Sequence, residues 1–334
     1  MNLKKPNLLV LTTGGTIASK DSSEGLIPAM NGSSMFSSIN GISKNYNLTV
    51  KDILHLDSSN IQPEEWVMIA RHIYEAYGQY DGIVITHGTD TMAYTSSILS
   101  FMLPNPPLPI VLTGSQLPLS HPLTDAADNL RYSLAMASSG ICGIFLSFNR
   151  KIILGCRAVK VRTTGFDAFE SVNYPYIAQI DSSGLNINHS VLPTNNGNPA
   201  FLGNLCSDVF LIKLTPGLNP KIFDMLLEMQ YKGIIIEAFG AGGLHFIHRD
   251  LIAKLSKLTE LGLPIVISSQ CLYERSDLSI YQTGQLALRQ GVISAYDMTT
   301  EAAVTKLIWA LGQDPSLSAV RKVFATNYVG EITL

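Results

Sequence analysis

The sequence predicts an α/β protein of two three-layer α/β/α domains: a flavodoxin-like N-terminal domain with a mainly parallel sheet, and a smaller C-terminal α/β domain. Short apolar runs alternate with helical patterns along most of the 334 residues. This alternation is typical of parallel strands joined by helices that cover both faces of a sheet. Hydrophobic residues make up 46% of the chain and charged residues 15%, which indicates sizeable folded cores and argues against disorder.

The alternation is clearest in the first half of the chain. A short apolar run bounded by glycine or polar residues predicts a strand, and such runs occur at residues 8–12, 48–56, 83–86, 110–113 and 143–148. Helices are predicted between them at residues 63–77, 91–101 and 125–137. Pro63 and two glutamates open the first helix, where the helix dipole favours acidic groups. Two short strand-like pieces follow at residues 151–155 and 158–161.

Residues 186–205 predict a linker, because they are rich in Asn, Gly and Pro and show little periodicity. The expected domains are therefore residues 1–185 and residues 206–334. In the second domain the pattern predicts strands at residues 209–213, 233–238 and 265–269, and helices at residues 220–230, at residues 250–261 and from residue 300 onward.

Composition excludes several classes of protein. The net charge of −3 and the lack of a basic cluster argue against a nucleic-acid partner. No apolar run approaches the roughly 18 residues of a membrane span, and the first run is shorter than the core of a signal peptide. The four cysteines are widely spaced, which indicates free thiols in a reducing compartment. We therefore expect a cytoplasmic protein with no membrane partner, and the pair His245 and His248 is too small a cluster to predict a metal site.

Three predicted strands end in loops that carry hydroxyl groups, and two of the loops also contain glycine: residues 12–16, 57–59 and 87–90. If the sheet has the common strand order 2-1-3-4, the first and third strands lie side by side at the point where such sheets bind ligands. Thr16 and Thr89 would then face each other across one crevice. Hydroxyls, a carboxylate and free backbone amides suit a small polar ligand and an oxyanion.

Each of these residues also has a simpler interpretation. Thr89 alone fits a turn residue, and Asp90 alone fits the cap of the helix that follows. Phosphate binding is disfavoured because the first loop has neither of the phosphate-binding patterns Gly-x-x-x-x-Gly-Lys-Ser/Thr and Gly-x-Gly-x-x-Gly. In addition, Asp90 would repel a phosphate. Lys160, between β-branched residues, fits a lysine on the solvent face of a strand. If it instead lies near a threonine, it can serve as the base that a threonine nucleophile needs.

Two segments resemble the signature motifs of bacterial-type L-asparaginases. They are Thr-Gly-Gly-Thr-Ile-Ala at residues 13–18 and the segment 82–92, which ends in His-Gly-Thr-Asp-Thr-Met. Lys160, with Gly-Phe-Asp-Ala-Phe-Glu-Ser at residues 165–171, resembles the segment around the catalytic lysine of that family. The resemblance covers essentially the whole chain. It is closest to the cytosolic type I branch, because Asp-Ser-Ser stands at residues 57–59 and no signal sequence is predicted.

The resemblance implies hydrolysis of L-asparagine to L-aspartate and ammonia without a cofactor. It makes Thr16 the nucleophile that forms a β-aspartyl enzyme. Thr89, Asp90 and Lys160 form a second catalytic cluster, in which Lys160 withdraws a proton through Thr89 and Asp90 orients the lysine. Which threonine attacks first stays open.

The resemblance also assigns substrate contacts and an assembly. Asp57, Ser58 and Ser59, together with Thr89 and Asp90 of the catalytic cluster, hold the substrate. The chain is expected to form a homodimer or homotetramer in which the C-terminal domain of a neighbour completes the site. One departure concerns the first loop, where the family usually has a lid tyrosine that helps to activate the nucleophile. Leu26 stands at that position.

Three other functions stay open from the sequence. A glutaminase or mixed enzyme is a close variant, because one methylene changes discrimination by only about 1–3 kcal/mol. An amidotransferase subunit that feeds ammonia to a tRNA partner is less favoured, since related subunits carry a further domain before the motif that here begins at Thr13. A non-catalytic amino-acid-binding protein would need the hydroxyls but not Lys160.

Overall fold

The structure is a computed structural model that describes residues 4–22, 25–28, 32, 36, 39, 41–194 and 196–333. It divides into two compact units, unit 1 (Met1–Gly203) and unit 2 (Asn204–Leu334). The predicted linker begins within a strand of unit 1, since residues 186 and 187 are the last two of Gly184–Ile187. None of the helices in the described ranges combines the length and hydropathy that crossing a membrane requires.

Unit 1 contains twelve strands in its described part. In chain order they are β1 (Asn7–Gly14), β2 (Ser19–Ser22), β3 (Gly25–Pro28), β4 (Asn47–Leu56), β5 (Gly82–Thr86), β6 (Pro109–Thr113), β7 (Gly143–Phe148), β8 (Lys151–Leu154), β9 (Ala158–Lys160), β10 (Phe169–Ser171), β11 (Ala178–Asp181) and β12 (Gly184–Ile187). The helices of this unit whose bounds lie in the described residues are α1 (Ile42–Asn45), α2 (Pro63–Glu75), α3 (Met92–Met102) and α4 (Ala126–Ala137).

Eight of these strands form one sheet in the order β12-β11-β8-β7-β6-β5-β1-β4. The five strands from β4 to β7 are parallel, and the three beyond β7 are antiparallel. The predicted mainly parallel sheet is therefore confirmed, with β1 between the second and third long strands of the chain. Strands β5, β6 and β7 are buried along their whole length, which is why they read as continuous apolar runs.

Helix α2 begins where the sequence predicts it. Pro63 is its first residue, and Gln62 and Glu65 form a capping box. Helix α3 is buried on almost every side. The Ser96 hydroxyl on α3 donates a hydrogen bond of 2.7 Å to the carbonyl oxygen of Gly155, which lies just before β9. This bond connects the helix that follows β5 to the strand that carries Lys160.

Several short elements were not predicted. The polar stretch after the first loop contains the antiparallel hairpin of β2 and β3. The polar stretch after β9 contains β10, β11 and β12, which also pair antiparallel. These strands have three or four residues each, too few for an alternating pattern to stand out from the surrounding loops.

Unit 2 is a smaller parallel α/β unit. Its strands are β13 (Val209–Lys213), β14 (Gly233–Ala238), β15 (Ile265–Ser269) and β16 (Ile293–Ser294), which form a sheet in that order. Its helices are α5 (Lys221–Glu228), α6 (Leu251–Glu260), α7 (Gln282–Arg289), α8 (Thr300–Gln313) and α9 (Leu317–Phe324). Helix α7 and strand β16 were not predicted from the sequence. The predicted smaller α/β fold in the second half of the chain is confirmed.

A buried ion pair anchors the end of unit 2. Lys306 on α8 and Glu331 are both fully buried, and Lys306 Nζ donates to Glu331 Oε1 at 2.5 Å and to the carbonyl oxygen of Thr326 at 2.8 Å. The Glu331 carboxylate also accepts the backbone N–H groups of Tyr328 and Val329. Because both charges have several hydrogen-bond partners, the pair is compatible with a site away from water.

We predict that Lys306→Met lowers the free energy of unfolding of unit 2 by about 3–5 kcal/mol, because the Glu331 carboxylate is left buried without its cation. Adding Glu331→Gln should restore much of the loss. The measurement is a urea titration followed by Trp309 fluorescence in a Trp66→Phe background.

The control for this prediction is Lys254→Met, which removes a partly exposed ion pair with Asp224. Its expected cost is below about 1 kcal/mol. A loss for Lys306→Met as small as that of the control would contradict a stabilising role for the buried pair.

Candidate active site

Three loops meet at the carboxyl end of the sheet in unit 1 through backbone contacts at glycine. Gly14 and Gly15 have φ values of +102° and +81°, a region that favours glycine. A Cβ on Gly15 would lie 2.5 Å from the backbone nitrogen of Gly88, and a Cβ on Gly88 would lie 2.5 Å from Ser58 Oγ. The loops after β1 and β5 are therefore packed backbone to backbone, and the loop after β4 packs against Gly88 through the Ser58 side chain.

Thr16, the predicted nucleophile, follows directly on this contact. It begins a single 3₁₀ turn, Thr16–Ala18, and is half-buried. Ile17 beside it is fully buried, and the hydroxyl of Thr13 donates to the carbonyl oxygen of Thr86 at 2.9 Å. The position of Thr16 is thus set by its neighbours in the first loop and by β5.

Lys160, the last residue of β9, reaches the loop that follows β5. Its Nζ donates hydrogen bonds to Thr89 Oγ1 at 2.7 Å and to Asp90 Oδ1 at 2.6 Å. The Lys160 side chain is 17% exposed and that of Asp90 is 61% exposed, so Asp90 is the solvent-facing member. The structure brings these three predicted residues together, with an amine against a threonine hydroxyl at the distance that proton transfer requires.

Asp57 and Ser59 form a tight turn after β4. Asp57 Oδ1 accepts the backbone N–H of Ser59 at 2.9 Å and its hydroxyl at 2.6 Å. These hydrogen bonds hold the pKa of Asp57 below its ordinary value, and the nearby Lys160 charge lowers this pKa further. Asp57 is therefore ionised at neutral pH and faces the solvent.

Unlike the solvent-facing Asp57, Ser58 is buried and points toward α3. Its Oγ accepts the backbone N–H of Asp90 at 3.2 Å, and its carbonyl oxygen accepts the hydroxyl of Thr91 at 2.7 Å. Thr91 is the N-cap residue of α3, but its side chain makes no capping bond. Asp90 is thus not the cap, and its carboxylate is engaged by Lys160 instead.

Gln116 lies at this site and was not predicted from the sequence. It follows β6, the strand beside β5, and its Oε1 accepts a hydrogen bond from Thr89 Oγ1 at 3.3 Å. The segment Thr-Gly-Ser-Gln at residues 113–116 has the same arrangement as the predicted loops at residues 12–16 and 87–90, an apolar strand followed by glycine and polar residues. This pattern could have identified Gln116 as a candidate site residue from the sequence.

His87 lies beneath the site and was also not predicted. It is fully buried, its Nδ1 lies 2.7 Å from the carbonyl oxygen of Gly88, and its Nε2 lies 3.0 Å from Thr95 Oγ1. Because the carbonyl only accepts, Nδ1 carries the proton and Nε2 accepts from Thr95. Trp66 Nε1 in turn donates to Thr95 Oγ1 at 3.0 Å. Burial lowers the pKa of His87 to about 4, which keeps this chain of hydrogen bonds neutral.

Two further sequence predictions concern the lid and metals. Leu26 lies on β3, but its side chain lies outside the described residues, so its role stays a prediction. In the described ranges, no three His, Cys, Asp or Glu side chains converge as metal ligands would.

Both parts of the chain match known family models. The model "Asparaginase, N-terminal" matches residues 7–192, and the model "Glutaminase/Asparaginase C-terminal domain" matches residues 208–324. The chain belongs to the asparaginase family. The family resemblance of the sequence motifs is thereby confirmed.

Relatives extend this membership over the whole chain. The L-asparaginase of Thermococcus kodakarensis is 46% identical over 328 residues, which are 98% of this chain and 99% of the relative. A glutamyl-tRNA(Gln) amidotransferase subunit of Methanosphaera stadtmanae is 36% identical over 342 residues, with coverage of 98% of this chain and 77% of the relative.

Solved structures agree with the family and the fold. The thermostable L-asparaginase from Thermococcus kodakarensis superposes with a TM-score of 0.93 at 46% identity, and the match covers 98% of this chain and 99% of that one. L-asparaginase I from Vibrio cholerae O1 biovar eltor superposes with a TM-score of 0.88 at 31% identity, covering 99% and 100%.

We predict that His87 makes unit 1 less stable in mild acid. Unfolded histidine binds a proton below about pH 6.5, whereas buried His87 stays neutral down to about pH 4. The unfolded state is therefore favoured as the pH falls through this window, and His87 should contribute a loss of about 3 kcal/mol in the free energy of unfolding. Urea titrations at several pH values, followed by Trp66 fluorescence in a Trp309→Phe background, measure the loss.

His87→Gln should flatten this pH dependence, while His189→Gln, at an exposed histidine, should leave it unchanged. An equally steep loss in His87→Gln would show that other groups cause the acid sensitivity.

Proposed function

We propose that this chain is an L-asparaginase that hydrolyses L-asparagine to L-aspartate and ammonia. One observation carries the proposal: Lys160 Nζ lies within hydrogen-bond distance of both Thr89 Oγ1 and Asp90 Oδ1, at the carboxyl end of a parallel sheet. Ligands bind at this edge in open α/β sheets. The match of both units to asparaginase family models supports this substrate class.

The proposed reaction uses Thr16 as nucleophile. Its hydroxyl oxygen attacks the side-chain amide carbon, the C–N bond breaks, and the hydroxyl proton leaves with ammonia. A water molecule then cleaves the resulting β-aspartyl ester, which releases aspartate and restores the threonine. Support comes from the place of Thr16 in the first loop, next to the contact between Gly15 and Gly88.

The second cluster is proposed to move protons. A neutral Lys160 takes a proton from Thr89, and Thr89 takes one from the attacking group, so that a nucleophile forms without a free hydroxide. Asp90 balances the charge that Lys160 then carries, because its carboxylate is in direct contact with Nζ. Thr89 as the first nucleophile is the alternative assignment.

Substrate binding is proposed to involve the second loop. Asp57 is ionised and solvent-facing, which suits a cationic α-amino group. Ser58 Oγ accepts a bond from the N–H of Asp90, so its own hydrogen is suited to donation to an α-carboxylate. Ser59 holds the Asp57 carboxylate in place. The exposed side of Asp90 suits contact with the same amino group.

Glutamine is the alternative substrate, alone or beside asparagine. The C-terminal family model is shared by glutaminases and asparaginases. One additional methylene changes discrimination by only about 1–3 kcal/mol. Ammonia release from the two amino acids, measured side by side, decides the preference.

We further propose a cytoplasmic location. None of the four cysteines, all of which lie in the described ranges, forms a disulfide, and Cys156 is buried. Free thiols persist in reducing compartments.

We predict that Thr16→Val, Thr89→Val and Lys160→Met each lower kcat for ammonia release from asparagine by roughly 10²–10⁴-fold, as expected for loss of a nucleophile or a proton-transfer group. The assay couples released ammonia to a spectroscopic readout, and circular dichroism verifies that each variant is folded.

Matched controls are Thr49→Val and Lys51→Met, at exposed positions on β4, which should retain wild-type turnover. A wild-type protein that binds asparagine but releases no ammonia would support the non-catalytic binding protein instead. Release of ammonia in the absence of any tRNA partner would separate the proposed enzyme from an amidotransferase subunit.

We also propose self-association as a homodimer or homotetramer. Unit 2 exposes large apolar side chains, among them Ile247, Ile280 and Tyr281 at 67%, 59% and 62%, and burying such side chains between subunits favours association. Light scattering should give two or four times the mass of one chain. Ile280→Ser with Tyr281→Ser should lower that mass, while the same change at exposed Leu123 in unit 1 should not. A fully active monomer would contradict the proposal.

A further inference from the structure

The side chain of Gln116 joins two parts of the proposed site. Its amide oxygen accepts a hydrogen bond from Thr89 Oγ1 at 3.3 Å. Its amide nitrogen donates to the backbone carbonyls of Thr163 and Gly165, at 3.0 Å each. Gln116 therefore connects Thr89 to the loop that follows Lys160.

The partners of Gln116 determine which way its amide points. The carbonyls of Thr163 and Gly165 accept hydrogen bonds and cannot donate them, so they face the amide nitrogen. The amide oxygen is left for Thr89. The backbone of Gln116 is also held, because the Asp125 carboxylate accepts its N–H at 3.1 Å.

The hydroxyl of Thr89 has one hydrogen to donate. A protonated Lys160 only donates, so its bond of 2.7 Å to Thr89 Oγ1 uses a lone pair of that oxygen. The hydrogen is then directed to Gln116 Oε1. At 3.3 Å this bond is longer than the usual O–H···O distance of about 2.7–2.8 Å, and is correspondingly weak.

We infer that Gln116 is a positioning residue for the proposed amide hydrolysis, and that it directs the Thr89 hydroxyl hydrogen away from Lys160 while the lysine is protonated. The inference rests on the proposed function. For Thr89 to give its proton to Lys160, the lysine first loses a proton to solvent. The Thr89 O–H then turns from Gln116 Oε1 to the lone pair on Nζ, and the weak bond to the amide breaks. Gln116 thus favours the resting arrangement with a protonated lysine.

Other charges also act on Lys160 and remain the same when the amide is changed. Asp90 contacts Nζ at 2.6 Å from the loop after β5, and Asp57 interacts with the lysine charge from the loop after β4. Arg162, on the same loop as the amide's carbonyl partners, pairs with Asp167. A change in pH dependence caused by a neutral replacement of the amide is therefore attributable to the lost hydrogen bonds.

The test is the pH dependence of kcat for asparagine in Gln116→Met and Gln116→Glu. Without the amide acceptor, the arrangement with a neutral lysine becomes easier to reach. Gln116→Met should therefore move the rising limb of the plot of kcat against pH to lower pH by a few tenths to about one pH unit. Gln116→Glu keeps an acceptor and adds a negative charge, so its rising limb should move to higher pH. In both variants kcat should fall more than KM changes.

A purely structural role for Gln116 would lower kcat or stability without moving the limb. Ser115→Ala, in the same loop with its hydroxyl bonded to the Leu117 carbonyl, controls for disturbance of the loop and should keep the wild-type limb. If Gln116→Met does not fold, Gln116→Asn, whose shorter amide cannot span the same partners, should show the same downward shift.

Rising limbs that coincide with the wild type in the Met and Asn variants overturn the inference and leave the proposed function intact. A wild-type protein that releases no ammonia overturns both the proposed function and the inferred role of Gln116.

Discussion

The close approach of backbone at the ends of neighbouring strands is the constraint on which the site in unit 1 depends. A Cβ on Gly15 would lie 2.5 Å from the Gly88 nitrogen, and a Cβ on Gly88 would lie 2.5 Å from Ser58 Oγ. Only residues without a side chain allow loops to pack so closely. Thr16 and Thr89 each come directly after one of these glycines. The contact between Gly15 and Gly88 joins backbone to backbone, which is stiffer than contact between flexible side chains, and it holds the two threonine-bearing loops together.

The charged side chains of the candidate site, Lys160 and Asp90, lie next to neutral and buried groups. Lys160 has its countercharge in Asp90, whose side chain is exposed, so the pair remains partly solvated. Beneath them His87 is fully buried and neutral at ordinary pH. Its hydrogen bonds hold the Gly88 carbonyl and Thr95 without adding a charge that would compete for Asp90. A neutral support of this kind adds no charge beside the pair of Lys160 and Asp90.

Much of the fold could be predicted from the sequence because most of its main strands are buried on both faces. Strands β7, β14 and β15 are buried in this way and lie at the predicted residues, since continuous apolar runs bounded by glycine or polar residues carry a strong signal. The short strands β10 to β12 and helix α7 have no sequence pattern that distinguishes them from the surrounding loops. Their residues are largely exposed or half-buried, and pairing with elements already in place, rather than local pattern, makes them ordered.

The sequence by itself determined the parallel α/β architecture, the family, and which residue types follow each strand of the site. Only the tertiary structure decided which polar groups meet there. Lys160 binds groups 70 and 71 residues away, and the amide of Gln116 is oriented by carbonyls 47 and 49 residues away. The strand order brings such distant groups together. A hydrogen bond depends on distance and direction in space, and neither is encoded in the local pattern of a strand or a loop.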